Sequence, residues 1–101
     1  MGFEYEGNRE LSELQAHDLF ERLEAQPGWQ VVSRGGRRVS FRFAGSAPGH
    51  FEEQFVLKVR PDGSLYLLFN AAEAGERSAV RQAIAAAAHG LGLAGLQFDE
   101  A

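Results

Sequence analysis

No cysteine occurs in the 101 residues, which excludes disulfide frameworks, thiolate zinc sites and cysteine nucleophiles. Long apolar runs are also missing, and none approaches the roughly 20 residues that a membrane-spanning helix needs. The opening stretch, MGFEYEGNRE, lacks the basic and then apolar layout of a secretory leader. There is no G-x-x-x-x-G-K-[ST] phosphate loop, no G-x-G-x-x-G between a strand and a helix, and no G-x-S-x-G elbow. The one G-x-G, at Gly90 and Gly92, follows a helical pattern, the wrong setting for phosphate binding. No repeat appears, and the only compositionally biased stretch is the alanine run near 83–88. These absences predict a soluble cytoplasmic protein with no membrane partner and no cofactor. Its richness in alanine and arginine suits a bacterial or phage chain.

What is present suffices for a core. Hydrophobic residues make up 45% of the chain and include eight phenylalanines and a tryptophan, enough to offset the entropy lost on folding. A chain of this length is expected to form one domain, residues 1–101, that buries roughly 60 to 70% of its unfolded surface.

Charge is unevenly distributed around a formal net value of −4. Residues 1–26 carry seven acids against Arg9 and Arg22, and residues 64–101 carry a smaller acidic excess. Residues 27–63 reverse the sign, with six bases (Arg34, Arg37, Arg38, Arg42, Lys58, Arg60) against Glu52, Glu53 and Asp62. The pattern predicts an acidic end and a basic patch.

Alternation and periodicity predict the order β-α-β-β-β-β-α, with LQFDE near the C-terminus either a last edge strand or a segment tucking Leu96 and Phe98 under the sheet. FEYEG reads as a short strand that stops at Gly7-Asn8. A helix follows, with Ala16, Leu19, Phe20 and Leu23 on its buried stripe. Ser12 with Gln15 and Gln15 with Asp18 both qualify as its start, and Leu14, lying off the stripe, favours the later one. Strands are predicted at 29–34, 37–43, 51–60 and 64–70, with tight turns at Gly35-Gly36 and Pro61-Asp62-Gly63. A second helix opens near Asn70 and Glu73, pairs Glu73 with Arg77, buries Val80, Ala83, Ile84 and Ala87, and ends at His89 with Gly90 as a left-handed cap. Strand alternation leaves one sheet face wet, and both helices cover the other. The predicted fold is an α+β two-layer sandwich with a four- to five-stranded antiparallel sheet.

Catalytic chemistry finds little support. His17, His50 and His89 lie in three different elements. His50 with Glu52 is a pair of donors without a third, so no metal site is expected. Glu53 falls on the inward side by parity, where burial raises a carboxyl pKa, unless the strand starts at Gln54. The chain is not expected to be an enzyme. By the same parity Arg38, Arg42, Lys58, Arg60 and Tyr66 share the wet face with the apolar Val56 and Leu68, while Arg34 and Arg37 sit at the rim of their turn. Arginines around a tyrosine and aliphatic centre are typical of protein interfaces. The expected function is a small non-enzymatic protein-binding module of inhibitor, immunity or chaperone type, its partner a protein with an acidic surface. Nucleic-acid binding through the same arginines is the alternative, with Tyr66 stacking a base, and a homodimer through the wet face or an edge strand is a third arrangement.

The segment LFERLEAQPGWQVVSRGGRRVSFRF resembles the opening of HicA-type toxins, in which a helix leads through Gly-aromatic into two strands. Leu19, Leu23, Gly28, Trp29, Val32, Gly36 and Phe41 fit that spacing over about a quarter of the chain. The resemblance implies the α-β-β-β-α double-stranded-RNA-binding fold. Arg37 and Arg38 stand where that family has its serine and catalytic histidine, so the implication is of fold and not of ribonuclease activity.

Overall fold

A computed structural model describes residues 3–45 and 53–101. The elements run β1 (Phe3–Glu10), α1 (Glu13–Glu24), β2 (Trp29–Arg34), β3 (Arg38–Phe43), β4 (Phe55–Val59), β5 (Ser64–Phe69), α2 (Ala74–His89) and β6 (Phe98–Glu100). The strands form one six-stranded sheet in the order β2-β3-β4-β5-β1-β6, and every neighbouring pair is antiparallel. The α+β class therefore stands, with more strands than the sequence pattern suggests. Four strands lie between the two helices, where the double-stranded-RNA-binding fold has three.

Two additions account for the larger sheet. β1 does not stop at Gly7-Asn8 but runs on to Glu10, with a register irregularity between Glu6 and Glu10. Asn8 is held by a partner strand segment rather than by a turn: its N–H donates to the Gln97 carbonyl at 3.0 Å and its Oδ1 accepts from the Gln97 N–H at 2.8 Å. The C-terminal segment forms β6 beside β1, and Leu96 is buried beneath it.

One face of the sheet carries the core. Phe41, Phe55 and Phe69 stand in register across β3, β4 and β5, and Val39, Leu57, Leu67 and Tyr5 form the next row. Phe55 is the hub, with ring centroids at 5.0 Å from Trp29, 5.2 Å from Phe41, 5.3 Å from Phe43 and 5.7 Å from Phe69. Ala16, Leu19, Phe20 and Leu23 of α1 and Val80, Ile84 and Ala88 of α2 join the same cluster, so both helices cover this face. Helix α2 is turned slightly from its expected stripe: Ala88 is fully buried, while Ala83 and Ala87 are half-buried.

Local chemistry sets the helix ends. Ser12 caps α1 reciprocally with Gln15, its Oγ accepting from the Gln15 N–H at 3.1 Å while Gln15 Oε1 accepts from the Ser12 N–H at 2.9 Å. The earlier start wins although it leaves Leu14 70% exposed, because satisfied end groups outweigh one solvated leucine. Helix α2 starts after Glu73, not at Asn70; Asn70 instead donates its side-chain amide to the Glu53 carbonyl at 3.0 Å. Arg77 forgoes a pairing with Glu73 and lies over the Phe3 ring, 3.6 Å from its centroid. Gly90 is not left-handed (φ −63°); the cap comes two residues later at Gly92 (φ +84°). There the Leu93 N–H donates to the Ala88 carbonyl and the Gly92 N–H to that of His89, both at 3.0 Å, and Leu93 folds back into the core.

Replacing Phe55 by Ala is expected to cost about 3–5 kcal/mol, since it opens a void where four other rings meet. Urea denaturation followed by tryptophan fluorescence measures this directly, because Trp29 is one of the four.

Candidate functional site

The sheet face away from the helices is built by the same register that aligns the core. Along one row Arg38 stands opposite Lys58, Lys58 opposite Tyr66, Tyr66 opposite Glu6, and Glu6 opposite Asp99. In the next row lie Ser33, Ser40, Val56, Leu68 and Glu4. Arg42 is opposite Gln30, half-buried on the same face. Arg60 follows the end of β4, its guanidinium carbon 4.7 Å from the centroid of the Tyr66 ring. All five expected surface residues are thus brought to one face.

That face is not uniformly basic. Arg38 donates to Glu53 Oε2 at 2.5 Å and to Ser33 Oγ at 2.9 Å. Arg60 pairs with Glu6 at 2.9 Å, and the Tyr66 hydroxyl donates to Glu4. Lys58 is exposed and makes no ion pair among the described residues. The result is a bipolar surface: cations over β3 and β4, carboxylates over β1 and β6. Glu53 corrects its expected placement. β4 begins only at Phe55, and Glu53 reaches the outer face to meet Arg38 instead of pointing into the core. Residues 46–52, with His50 and Glu52, lie outside the described residues.

Val56 also departs from expectation. It is 2% exposed, not open to solvent, and its neighbour Ser40 is 0% exposed, its hydroxyl 2.8 Å from that of Ser33. A central-strand residue has neighbours on both sides, and the adjoining row of Arg38, Lys58 and Tyr66 carries stems long enough to shield it. Leu68 is half-buried. The centre of the face is therefore sealed by amphipathic side chains, without a bare apolar patch.

The other candidates take structural roles. Arg34 belongs to the helix-covered side, not merely the turn rim, because a register shift between Val31 and Ser33 reverses its side. It lies 5.0 Å from the centroid of Phe20 and pairs with Glu24. Its Nη2 is 3.3 Å from His17 Nδ1. Arginine only donates, so Nδ1 accepts, and the imidazole proton on Nε2 faces Glu21 Oε1 at 3.1 Å. His17 is thereby held as a helix-surface residue. A groove of about 500 Å³ lies between the start of α1 and the β4–β5 turn, lined by Leu11, Ser12, Glu13, Arg37, Pro61 and Asp62. Glu13 and Arg37 pair across it at 3.3 Å. Gly63 closes the groove with φ +90° and no room for a side chain, since a Cβ would come 2.6 Å from the Leu11 carbonyl oxygen. Among the described residues no three or more His, Asp or Glu side chains converge as metal ligands, and no helix is long and apolar enough to cross a membrane.

Compared with protein-family models, curated proteins and solved structures, the chain matches none of them. The face must be read from its own geometry. What sequence reasoning missed was its acidic half. The alternation of Glu4 and Glu6 with Phe3 and Tyr5 was visible, but the place of β1 between β5 and β6 was not.

One carboxylate beside the groove has a displaced titration. Asp62 Oδ1 accepts from the Ser64 hydroxyl at 2.6 Å and from the Ser64 N–H at 2.9 Å. These two bonds, with Arg60 nearby, hold its pKa below the ordinary 3.8. A depressed pKa means that the turn's contribution to stability is present above that ordinary value and fades as pH falls through the folded one. Ser64→Ala removes the largest cause, so the Asp62 carboxyl midpoint, followed by NMR, is expected to move up toward 3.8.

Proposed function

We propose that this protein is a small non-enzymatic binding module, of inhibitor, immunity or chaperone type, that docks another protein through its outer sheet face. The observation that carries the reading is Lys58. It is an exposed cation without an ion pair among the described residues, in a row between Arg38 and Tyr66 and beside the sealed Val56–Leu68 centre. Arginine and tyrosine around a dry centre are the residue types in which binding energy concentrates. Arg38, Arg42, Lys58, Arg60 and Tyr66 form the contact surface, and an acidic protein surface suits the β3–β4 half. Steering by that half acts over about 8 Å at physiological salt.

Nucleic acid is the second class of partner that these cations suit. Glu4, Glu6 and Glu53 weigh against it, since each lies against a member of the proposed surface and repels a phosphate backbone. Electrophoretic mobility shifts at low salt with single- and double-stranded oligonucleotides address that class.

Lys58→Glu tests the proposal with little structural disturbance, because it breaks no ion pair and places a carboxylate opposite Arg38. The melting temperature is expected to stay within about 2 °C of the parent, as for a surface substitution of under about 0.5 kcal/mol. A partner retained from native lysate by the parent protein is expected to be lost by the variant. Equal retention by both removes the face from the interface.

A further inference from the structure

Accepting that the outer face is a docking surface, we infer that one occupant is a second copy of the same chain, placed face to face about a two-fold axis parallel to the strands and between β4 and β5. The charge pattern carries this. From β3 to β1 one row reads Arg38, Lys58, Tyr66, Glu6. Turned about that axis, the row meets its own reverse. Arg38 of one copy faces Glu6 of the other, and Lys58 faces Tyr66. In the neighbouring row Val56 and Ser40 are covered within each copy, so the half-buried Leu68 and the exposed Glu4 are the members that reach the contact. A wholly acidic partner satisfies only the β3–β4 half and is repelled by Glu4, Glu6 and Asp99. The face itself carries the complement to both halves.

The geometry suits such an isologous contact. Two sheets pack about 10 Å apart with their strands roughly aligned. Side chains of Arg38 and Glu6 are 41% and 49% exposed, so both reach outward despite their pairings within the chain. Arg38 uses two of its five donors on Ser33 and Glu53. Extent sets the strength. Six strands spaced about 4.8 Å apart and about 20 Å long give roughly 500 Å² a side. About 1,000 Å² in total is the low end for a specific contact, so the dimer is weak and concentration-dependent. Formation of the dimer buries Lys58 and competes with any other protein for the same face.

Sedimentation of the purified full chain tests this, using the parent, Arg38→Glu, Glu6→Arg and an equimolar mixture of the two variants. The parent's mass is expected to rise with concentration toward twice 11.1 kDa, and to fall back as added salt shortens the screening length. Each variant alone sets like charges face to face and is expected to remain monomeric. Their mixture restores opposite charges at both contacts and is expected to regain the dimer. Circular dichroism confirms that each variant is folded. A parent that stays monomeric at every concentration overturns the inference, and so does a dimer that neither variant weakens. A monomeric parent whose other partner is still lost on Lys58→Glu retires the self-contact alone and leaves the docking face standing.

Discussion

Phe55 stands where the rings of Trp29, Phe41, Phe43 and Phe69 converge, and this contact holds β2 to β5 in a single register. Because side chains alternate along a strand, a slip of one residue at β4 carries Phe55 and Leu57 out of the core and Val56 and Lys58 into it. Burying Phe55 and Leu57 is worth about 1.5–3 kcal/mol each, so the slipped pairing is strongly disfavoured. The outer rows are the other side of the same constraint. Arg38, Lys58, Tyr66 and Glu6 are level with one another because the core residues beside them are level.

The electrostatics of the outer face follow from that alignment. Its ion pairs are partly exposed, and surface pairs of this kind contribute about 0–1 kcal/mol to stability. Their effect lies in arrangement. Arg38–Glu53 and Arg60–Glu6 hold long side chains over the sheet, seal Val56 and Ser40, and leave a face whose two halves differ in sign. Charges so placed govern partner choice and orientation more than folding.

Alternation made the central strands readable: Val39, Phe41 and Phe43 against Arg38, Ser40 and Arg42, then Leu65, Leu67 and Phe69 against Tyr66 and Leu68. The α1 stripe was equally plain. What alternation cannot express is which strands are neighbours, and the acidic half of the face depends on β1 lying beside β5. Local signals misled where a tertiary partner intervened. Gly7-Asn8 looks like a turn until Gln97 pairs with it, and Gly90 looks like a helix cap until Leu93 draws the chain one half-turn further into the core. Arg34 reads as part of the turn rim, and the irregularity after Val31 instead sets it opposite Val39 on the helix-covered side.

The central claim is that the outer face, and not the helical layer, is the surface through which this protein makes contacts. Amide chemical shifts recorded on the isotope-labelled chain from dilute to concentrated solution test it most directly. The account predicts shifts that grow with concentration at Arg38, Ser40, Val56, Lys58, Tyr66, Leu68, Glu4 and Glu6, with α1 and α2 unmoved. No shift at any concentration retires the self-contact alone, whereas shifts confined to the helices or to the β2 edge contradict the claim.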